Sequence, residues 1–255
     1  MRPTSLDRIL LIGALTGLFA LFFIGGELSI YYKWPLSGSI SEALQAAAYD
    51  DFAARQSAAR KAGRYLGIGI ANAVEATGLG PYEGATVRVA TSGKIAVYTG
   101  ATPQGQAHKT TLAQIAADQL GVSPDDITVV TADTGTISLG MGTFAARTAV
   151  NAGSSVHLAA REVADKAKKL AAGMMECVED DLEVADGCVR LKSAPDVKKT
   201  FREIAVKAIG TPGFSMAGGL APGLEHTAYF TPEQSVYSNG THVAEVEVDI
   251  DTGAV

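Results

Sequence analysis

The sequence is poor in cysteine and has no long run of basic residues. Cys177 and Cys188 are the only cysteines. They are too few for a disulfide framework and lack the spacing of a thiolate metal site, so we interpret both as ordinary thiols. Lysine and arginine total 21 against 27 aspartates and glutamates, which gives a formal net charge of −6. Since nucleic-acid binding requires concentrated positive charge, we predict no nucleic-acid partner.

A Walker loop is also absent, and the one dinucleotide-like pattern fails on its context. Residues 140–145 read GMGTFA, which fits G-x-G-x-x-A and precedes a predicted helix. The acidic residue expected about 20 positions later, at the end of a second strand, would be Glu162. Because Glu162 falls inside the long predicted helix, we reject NAD binding.

The first part of the chain differs from the rest in composition. Residues 9–32 are apolar and carry one charge, Glu27. About 20 apolar residues in a helix span a hydrocarbon core of ~30 Å, so residues 1–36 are interpreted as an apolar N-terminal segment with a candidate transmembrane helix. Arg2 and Arg8 also suit a signal peptide, although no cleavage site clearly follows. A translated scar upstream of a broken gene is a third interpretation.

Beyond residue 36, short strands and alanine-rich helices predict an α+β fold of mixed sheets with packed helices. Periodicity and cap residues place the helices at 41–63, 109–119, 152–175 and 200–209. Alternation and turn residues place a strand at 64–77, a hairpin at 85–100, a strand at 127–131, a hairpin at 181–191 and a strand at 241–255.

The same patterns predict which side chains are buried. The strand at 64–77 is predicted to be buried, because apolar residues and glycines recur along it. In the hairpin at 85–100, alternation directs Val87, Val89, Ile95 and Val97 inward. In the helix at 109–119, one face carries Leu112, Ile115, Ala116 and Leu120. In the last strand, the alternating apolar residues are Val243, Val246, Val248 and Ile250, with a one-residue slip before Val246.

Two polar, small-residue segments do not suit the core. Residues 105–108, Gly-Gln-Ala-His, form a corner at the start of a predicted helix, where free N–H groups suit an anion. The amide of Gln106 could read a polar heterocycle. Residues 132–153 form a Gly/Thr/Ala-rich loop that is too long for a plain connection. The alternative for the corner is an ordinary helix-entry turn.

Four segments, read in order, resemble one family. They are residues 63–89, 99–134, 140–156 and 242–255. Together they resemble the molybdopterin-binding large subunit of molybdenum hydroxylases, the family of xanthine dehydrogenase, aldehyde oxidase and carbon monoxide dehydrogenase. The resemblance implies that residues 37–255 are a partial molybdopterin-binding region.

The resemblance also implies a set of cofactor-binding residues. In the corner, Ala107 stands in place of the family's second glycine, and in the second loop Ala145 and Ala146 stand where glycine and serine are common. The implied set is Gly105, Gln106, Ala107, His108, Thr143, Ala145, Ala146, Arg147 and Thr148.

The family resemblance implies the molybdenum cofactor, with the cytosine dinucleotide form as one alternative, and partner subunits that carry iron–sulfur clusters and FAD. It implies a cytoplasmic enzyme that oxidises aldehydes, N-heterocycles or carbon monoxide with water, and membrane association would be through residues 9–32 only. No catalytic or metal-binding residue is assigned to this chain, because the family's base glutamate would follow its last residue and the substrate-pocket loop would precede its first.

The chain is therefore expected to be a fragment that is inactive alone and that needs the missing portions of the large subunit. Glu75, Glu225 and His226 are interpreted as solvated charged groups, and His157 as structural. The alternative function is a membrane-tethered, non-catalytic cofactor-binding or assembly module.

Overall fold

The computed structural model describes residues 40–210 and 219–255. The predicted apolar helix within residues 1–36 lies outside these ranges. Within them, no helix combines the length and the apolar character that crossing a membrane requires. Residues 40–46 are helical. The α-helices that follow are α1 (Tyr49–Lys61), α2 (His108–Leu120), α3 (Thr148–Met175) and α4 (Phe201–Lys207). The strands are β1 (Tyr65–Thr77), β2 (Glu83–Val89), β3 (Ile95–Thr99), β4 (Ile127–Thr131), β5 (Leu182–Ala185), β6 (Cys188–Leu191), β7 (Ala194–Thr200), β8 (Leu224–Phe230) and β9 (Val236–Val248).

The chain divides into two compact units, and the described part of the smaller unit combines residues 40–75 with Tyr237–Val255. Its two-stranded sheet pairs β1 with β9. The predicted helix at 41–63 is interrupted, because Ala48 takes a left-handed conformation (φ 45°) and α1 begins only at Tyr49. α1 carries Arg55, which donates to Glu245 at 2.6 Å across the unit. Exposed ion pairs of this kind contribute little to stability.

Two predictions in this unit were wrong, one on burial and one on the bounds of a strand. β1 is half-buried rather than buried, because among the described residues it pairs with β9 alone. The last strand begins earlier than predicted and ends at Val248, after which the carboxylate of Asp249 accepts the N–H groups of a tight turn. Ile250 therefore lies in that turn and is 66% exposed.

The larger unit, residues 76–236, is built on a four-stranded sheet in the order β4-β3-β2-β8. β2 and β3 form the predicted hairpin, and β3 and β4 run parallel with α2 as the connection between them. Parallel neighbours require such a crossover. The four inward-facing residues predicted for the hairpin are all buried, which confirms that prediction.

Helix α3 covers this sheet and packs against α2. It begins at Thr148, one turn earlier than predicted, so residues 148–153 are helix rather than loop. Alanines and Gly153 let the helices approach closely, since a Cβ at Gly153 would lie 3.1 Å from Ile115. Residues 148–153 are thus helical because of tertiary packing, although their glycine and asparagine favour a loop.

The third sheet, β5-β6-β7, is antiparallel, and its first hairpin turns at Asp186–Gly187 as predicted. Strand β7 was not predicted, nor was β8, which pairs with β2 in the main sheet. α4 begins with a capping box in which Thr200 and Glu203 bond to each other's backbone N–H. The α+β class with mixed sheets and packed helices is confirmed for the described residues.

Candidate functional site

The polar corner between β3 and α2 is a left-handed turn. Gly105 has φ 95° and Ala107 has φ 58°, a region that favours glycine. A left-handed residue here agrees with the glycine that the family resemblance implies at the position of Ala107. The side-chain oxygen of Gln106 accepts the backbone N–H of Gln104 at 2.5 Å, and both glutamine side chains are exposed. The corner is therefore an open turn whose shape is set by its backbone.

The residue that precedes the corner, Gln104, bonds to the second predicted loop. Nε2 of Gln104 donates to the carbonyl oxygen of Thr143 at 3.4 Å. The hydroxyl of Thr143 in turn accepts a 3.3 Å hydrogen bond from the hydroxyl of Thr148, the first residue of α3. The structure therefore brings together the two segments that the sequence separates by more than 30 residues.

The second loop offers a row of backbone donors. Ala145 and Ala146 are both left-handed, at φ 47° and 49°. Among the described residues, the backbone N–H groups of 143–146 have no hydrogen-bond acceptor. Consecutive free N–H groups in such turns form concave sites that bind anions.

Two helices start beside these loops without the usual protection of their N-termini. Neither α2 nor α3 has a side-chain cap or an acidic residue in its first turn. By contrast, α1 carries Asp50 and Asp51 there, and α4 carries Glu203. An uncapped helix N-terminus has free N–H groups and a partial positive charge, which suit phosphate.

The guanidinium of Arg147 is directed into the protein. Its side chain and that of Glu83 are both fully buried, and Nη1 of Arg147 lies 2.7 Å from the carboxylate. Nε donates to the carbonyl of Leu79 at 2.7 Å, and the second Nη group donates to the carbonyl of Tyr82. The ring of Phe144 stacks on the guanidinium at 4.9 Å. Arg147, predicted as a cofactor-binding residue, thus braces the second loop from within.

Sequence reasoning missed Glu83 and Asn151. Glu83 is the first residue of β2 and is fully buried, although a glutamate at a strand end is typically exposed. Asn151 is fully buried in the first turn of α3, and its amide has no partner among the described residues. No local signal marks either residue, because the groups that surround them are distant in sequence.

His108 is the first residue of α2 and is only 5% exposed. Neither ring nitrogen has a partner among the described residues. Burial lowers the pKa of this imidazole, because the charged form is poorly solvated there. Both ring nitrogens of this buried imidazole thus lack the hydrogen bond that buried polar atoms usually have.

The remaining acidic and histidine candidates lie apart from this site. Glu225, on β8, forms a surface pair with Arg88, and Glu75 and His226 are exposed. Within residues 40–210 and 219–255, no three histidine, cysteine or acidic side chains are grouped as metal ligands would be. The site is therefore one of backbone donors, an amide and an imidazole.

Residues 42–255 match the profile of a family described as the molybdopterin cofactor-binding domain. The chain belongs to this molybdopterin-binding family of molybdenum hydroxylase large subunits. The resemblance read from the four sequence segments is thereby confirmed.

Three relatives illustrate the match. The carbon monoxide dehydrogenase large chain of Afipia carboxidovorans is 32% identical over 238 residues, which cover 87% of this chain and 29% of the relative. The nicotine 6-hydroxylase large subunit of Paenarthrobacter nicotinovorans is 35% identical over 219 residues, which cover 81% of this chain and 27% of the relative. The crystal structure of quinoline 2-oxidoreductase from Pseudomonas putida 86 superposes with a TM-score of 0.69 at 34% identity. The match covers 86% of this chain and 29% of the quinoline 2-oxidoreductase chain. The chain thus spans less than a third of the length of these relatives.

Proposed function

We propose that the corner at residues 105–108 and the loop at 140–147 together hold the molybdopterin cofactor of a molybdenum hydroxylase. One observation carries the proposal: the two segments meet at the Gln104–Thr143 bond, beside two helix N-termini that have no side-chain caps. Residues 37–255 would form one partial cofactor-binding region, preceded by the apolar segment at 1–36.

The available groups fit the two ends of such a cofactor. The phosphate-bearing end is anionic, and the free N–H groups of residues 143–146 with the N-termini of α2 and α3 are donors of matching sign. The pterin end is a polar heterocycle, for which Gln106 offers an amide and His108 an unpartnered imidazole. Left-handed Ala107, Ala145 and Ala146 shape the backbone around it, and Thr148 starts α3.

When bound, the molybdenum cofactor supplies the oxidation of a carbon centre with water as the source of oxygen. The residues of this chain bind and orient it, and electrons would pass to iron–sulfur and FAD subunits in the cytoplasm. The names of three relatives mention carbon monoxide, nicotine and quinoline. Because these differ, we assign this chain to aldehyde, N-heterocycle or carbon monoxide oxidation as a class, and leave the cytosine dinucleotide form as one alternative.

The composition of residues 9–32 favours a second candidate, a membrane-tethered binding or assembly module. Carbonate extraction of membranes separates the two. Retention of the full chain in the membrane pellet supports tethering, and its release contradicts it.

The cofactor proposal is tested by analysis of the full chain purified from cells that make the cofactor. Molybdenum measured by mass spectrometry and pterin fluorescence after denaturation should each approach one per chain. In the variant Ala149→Asp, a new carboxylate in the first turn of α3 should lower both values, although it favours the helix. Ala54→Asp adds the same charge on α1 in the other unit and should leave them unchanged. Absence of both molybdenum and pterin from the wild-type chain would contradict the proposal.

A further inference from the structure

We propose that Glu83 is the positioning residue of the cofactor loop at 140–147, an inference that rests on the proposed function above. Its carboxylate binds backbone N–H groups of that loop and so determines which of the loop's donors stay free. Nothing in the local sequence marks Glu83 for this role, since a glutamate at a strand end is ordinarily solvated.

Both oxygens of the Glu83 carboxylate accept hydrogen bonds. One oxygen accepts the N–H of Met141 at 3.2 Å, the N–H of Gly142 at 3.0 Å and Nη1 of Arg147 at 2.7 Å. The other oxygen accepts the N–H of Gly84 at 3.3 Å. Hydrogen bonds to a charged acceptor are the strong ones, and this acceptor is fully buried.

Glu83 itself is held by the main sheet. It begins β2 and is registered opposite Phe230 of β8. Its carbonyl accepts the hydroxyl of Ser155, a fully buried residue of α3, at 2.8 Å. The carboxylate therefore has a fixed place relative to both the sheet and the helix that starts at the loop.

The space around the carboxylate leaves it no second position. A Cβ on Gly140 would lie 2.9 Å from its oxygen Oε1, and one on Gly100 would lie 3.0 Å from the same atom. Backbone from both loops thus packs directly against this side chain. Only residues without a Cβ fit there, so the glycines and the glutamate form one close-packed unit.

Glu83 consequently binds two backbone N–H groups of the loop, and the next four N–H groups are not bound by it. Met141 and Gly142 give their N–H groups to Glu83, whereas the N–H groups of 143–146 have no acceptor among the described residues. Arg147 closes the loop by bonding the carbonyl of Gly142 at 2.6 Å as well as the carboxylate. Moving the carboxylate would therefore shift the free donors that the cofactor is proposed to meet.

The test is hydrogen–deuterium exchange of the full chain, resolved to single residues by fragmentation in the mass spectrometer. In the wild type, the amides of Met141 and Gly142 should exchange at least tenfold more slowly than those of 143–146. Equal rates would overturn the proposal, whatever the variants do.

Two variants sharpen the test. Glu83→Asp keeps the charge but withdraws it by one methylene, and Glu83→Gln removes the charge. In either variant that folds, exchange at Met141 and Gly142 should rise at least tenfold while the β2–β3 amides keep their rates. No rise, or a uniform rise over the whole sheet, would overturn the positioning role. Glu225→Gln, which breaks a surface ion pair on the neighbouring strand, is the matched control and should change neither set.

A second readout links the loop to the cofactor. If the wild type is loaded, Glu83→Asp should lower cofactor occupancy and alter the visible circular dichroism of the bound cofactor. An unaltered spectrum at full occupancy would overturn the inference. If the wild type carries no cofactor, the proposed function fails, and the exchange data decide separately whether Glu83 positions the loop.

Discussion

The backbones of Gly100 and Gly140 lie in direct contact. A Cβ built on Gly100 would be 2.6 Å from the Cα of Gly140, and one built on Gly140 would be 2.7 Å from the Cα of Gly100. Real Cβ atoms do not come so near to backbone. This contact ties the segment that follows β3 to the loop that precedes α3, and therefore joins the two halves of the proposed cofactor site.

Gly100→Ala should destabilise the chain and separate the two loops. Overpacking of a site with no space costs about 1–3 kcal/mol, which a urea titration followed by far-UV circular dichroism can measure. Gly173→Ala is the matched control, since a Cβ there meets nothing within 4 Å and the residue is helical. Alanine in a helix should stabilise by about 0.5–1 kcal/mol. Gly100→Ala should lower the free energy of unfolding and Gly173→Ala should raise it. An unchanged free energy of unfolding in Gly100→Ala would contradict the contact between Gly100 and Gly140.

Arg147→Met should be among the most destabilising substitutions in the chain. It leaves the carboxylate of Glu83 buried without its charged partner, a loss of about 3–5 kcal/mol in the free energy of unfolding. Arg88→Met removes an arginine whose side chain is 49% exposed and should cost no more than about 1 kcal/mol. Similar urea midpoints for the two variants would contradict the prediction that the buried Arg147–Glu83 pair contributes more to stability than the exposed Arg88–Glu225 pair.

The buried imidazole of His108 should make the fold sensitive to mild acid. Because burial lowers its pKa, the unfolded chain takes up a proton more readily than the folded chain as the pH falls through the ordinary histidine range near ~6.5. Stability from His108 is thus present above that range and is lost below it. Between about pH 7.5 and about pH 5.5, the urea midpoint of His108→Gln should fall less than that of the wild type.

The control for this prediction is His242→Gln, at an exposed position of β9. Its midpoint should follow the wild-type curve over the same pH range. Parallel curves for wild type and His108→Gln would contradict a role for His108 in the acid response.

Gln106→Ala should weaken cofactor retention without unfolding the chain. Its side chain is exposed and bonds only to the corner itself, so stability should change little. Loss of a hydrogen bond to the pterin would cost about 0.5–1.5 kcal/mol, which corresponds to roughly a 2- to 13-fold weaker affinity. Titrating released pterin against dilution measures this change. Gln119→Ala, near the far end of α2, should retain the cofactor as the wild type does, and equal retention by both variants would return the corner to an ordinary turn.

Local chemistry made several elements readable from the sequence alone. Strict alternation around a Ser-Gly turn located the β2–β3 hairpin and its buried valines. Apolar periodicity and Gly121, which is left-handed at φ 59°, located α2 to within one residue at each end. The ordered motifs of the corner and the second loop identified the family. These features depend on residues a few positions apart, which is the range over which periodicity and turn chemistry act.

Tertiary structure decided the rest. β8 joins the main sheet by pairing with β2, more than 130 residues away, and its own sequence carries little alternation. Residues 148–153 became helix because packing buries Asn151 and Gly153 against elements far along the chain. The placement of the Arg147 side chain depends on Glu83, 64 residues earlier, whose carboxylate accepts Nη1 of the guanidinium. Hydrogen bonds and packing between residues far apart in the sequence outweigh local conformational preference. They could not be predicted from a short stretch of sequence, because such a stretch holds only one of the two partners.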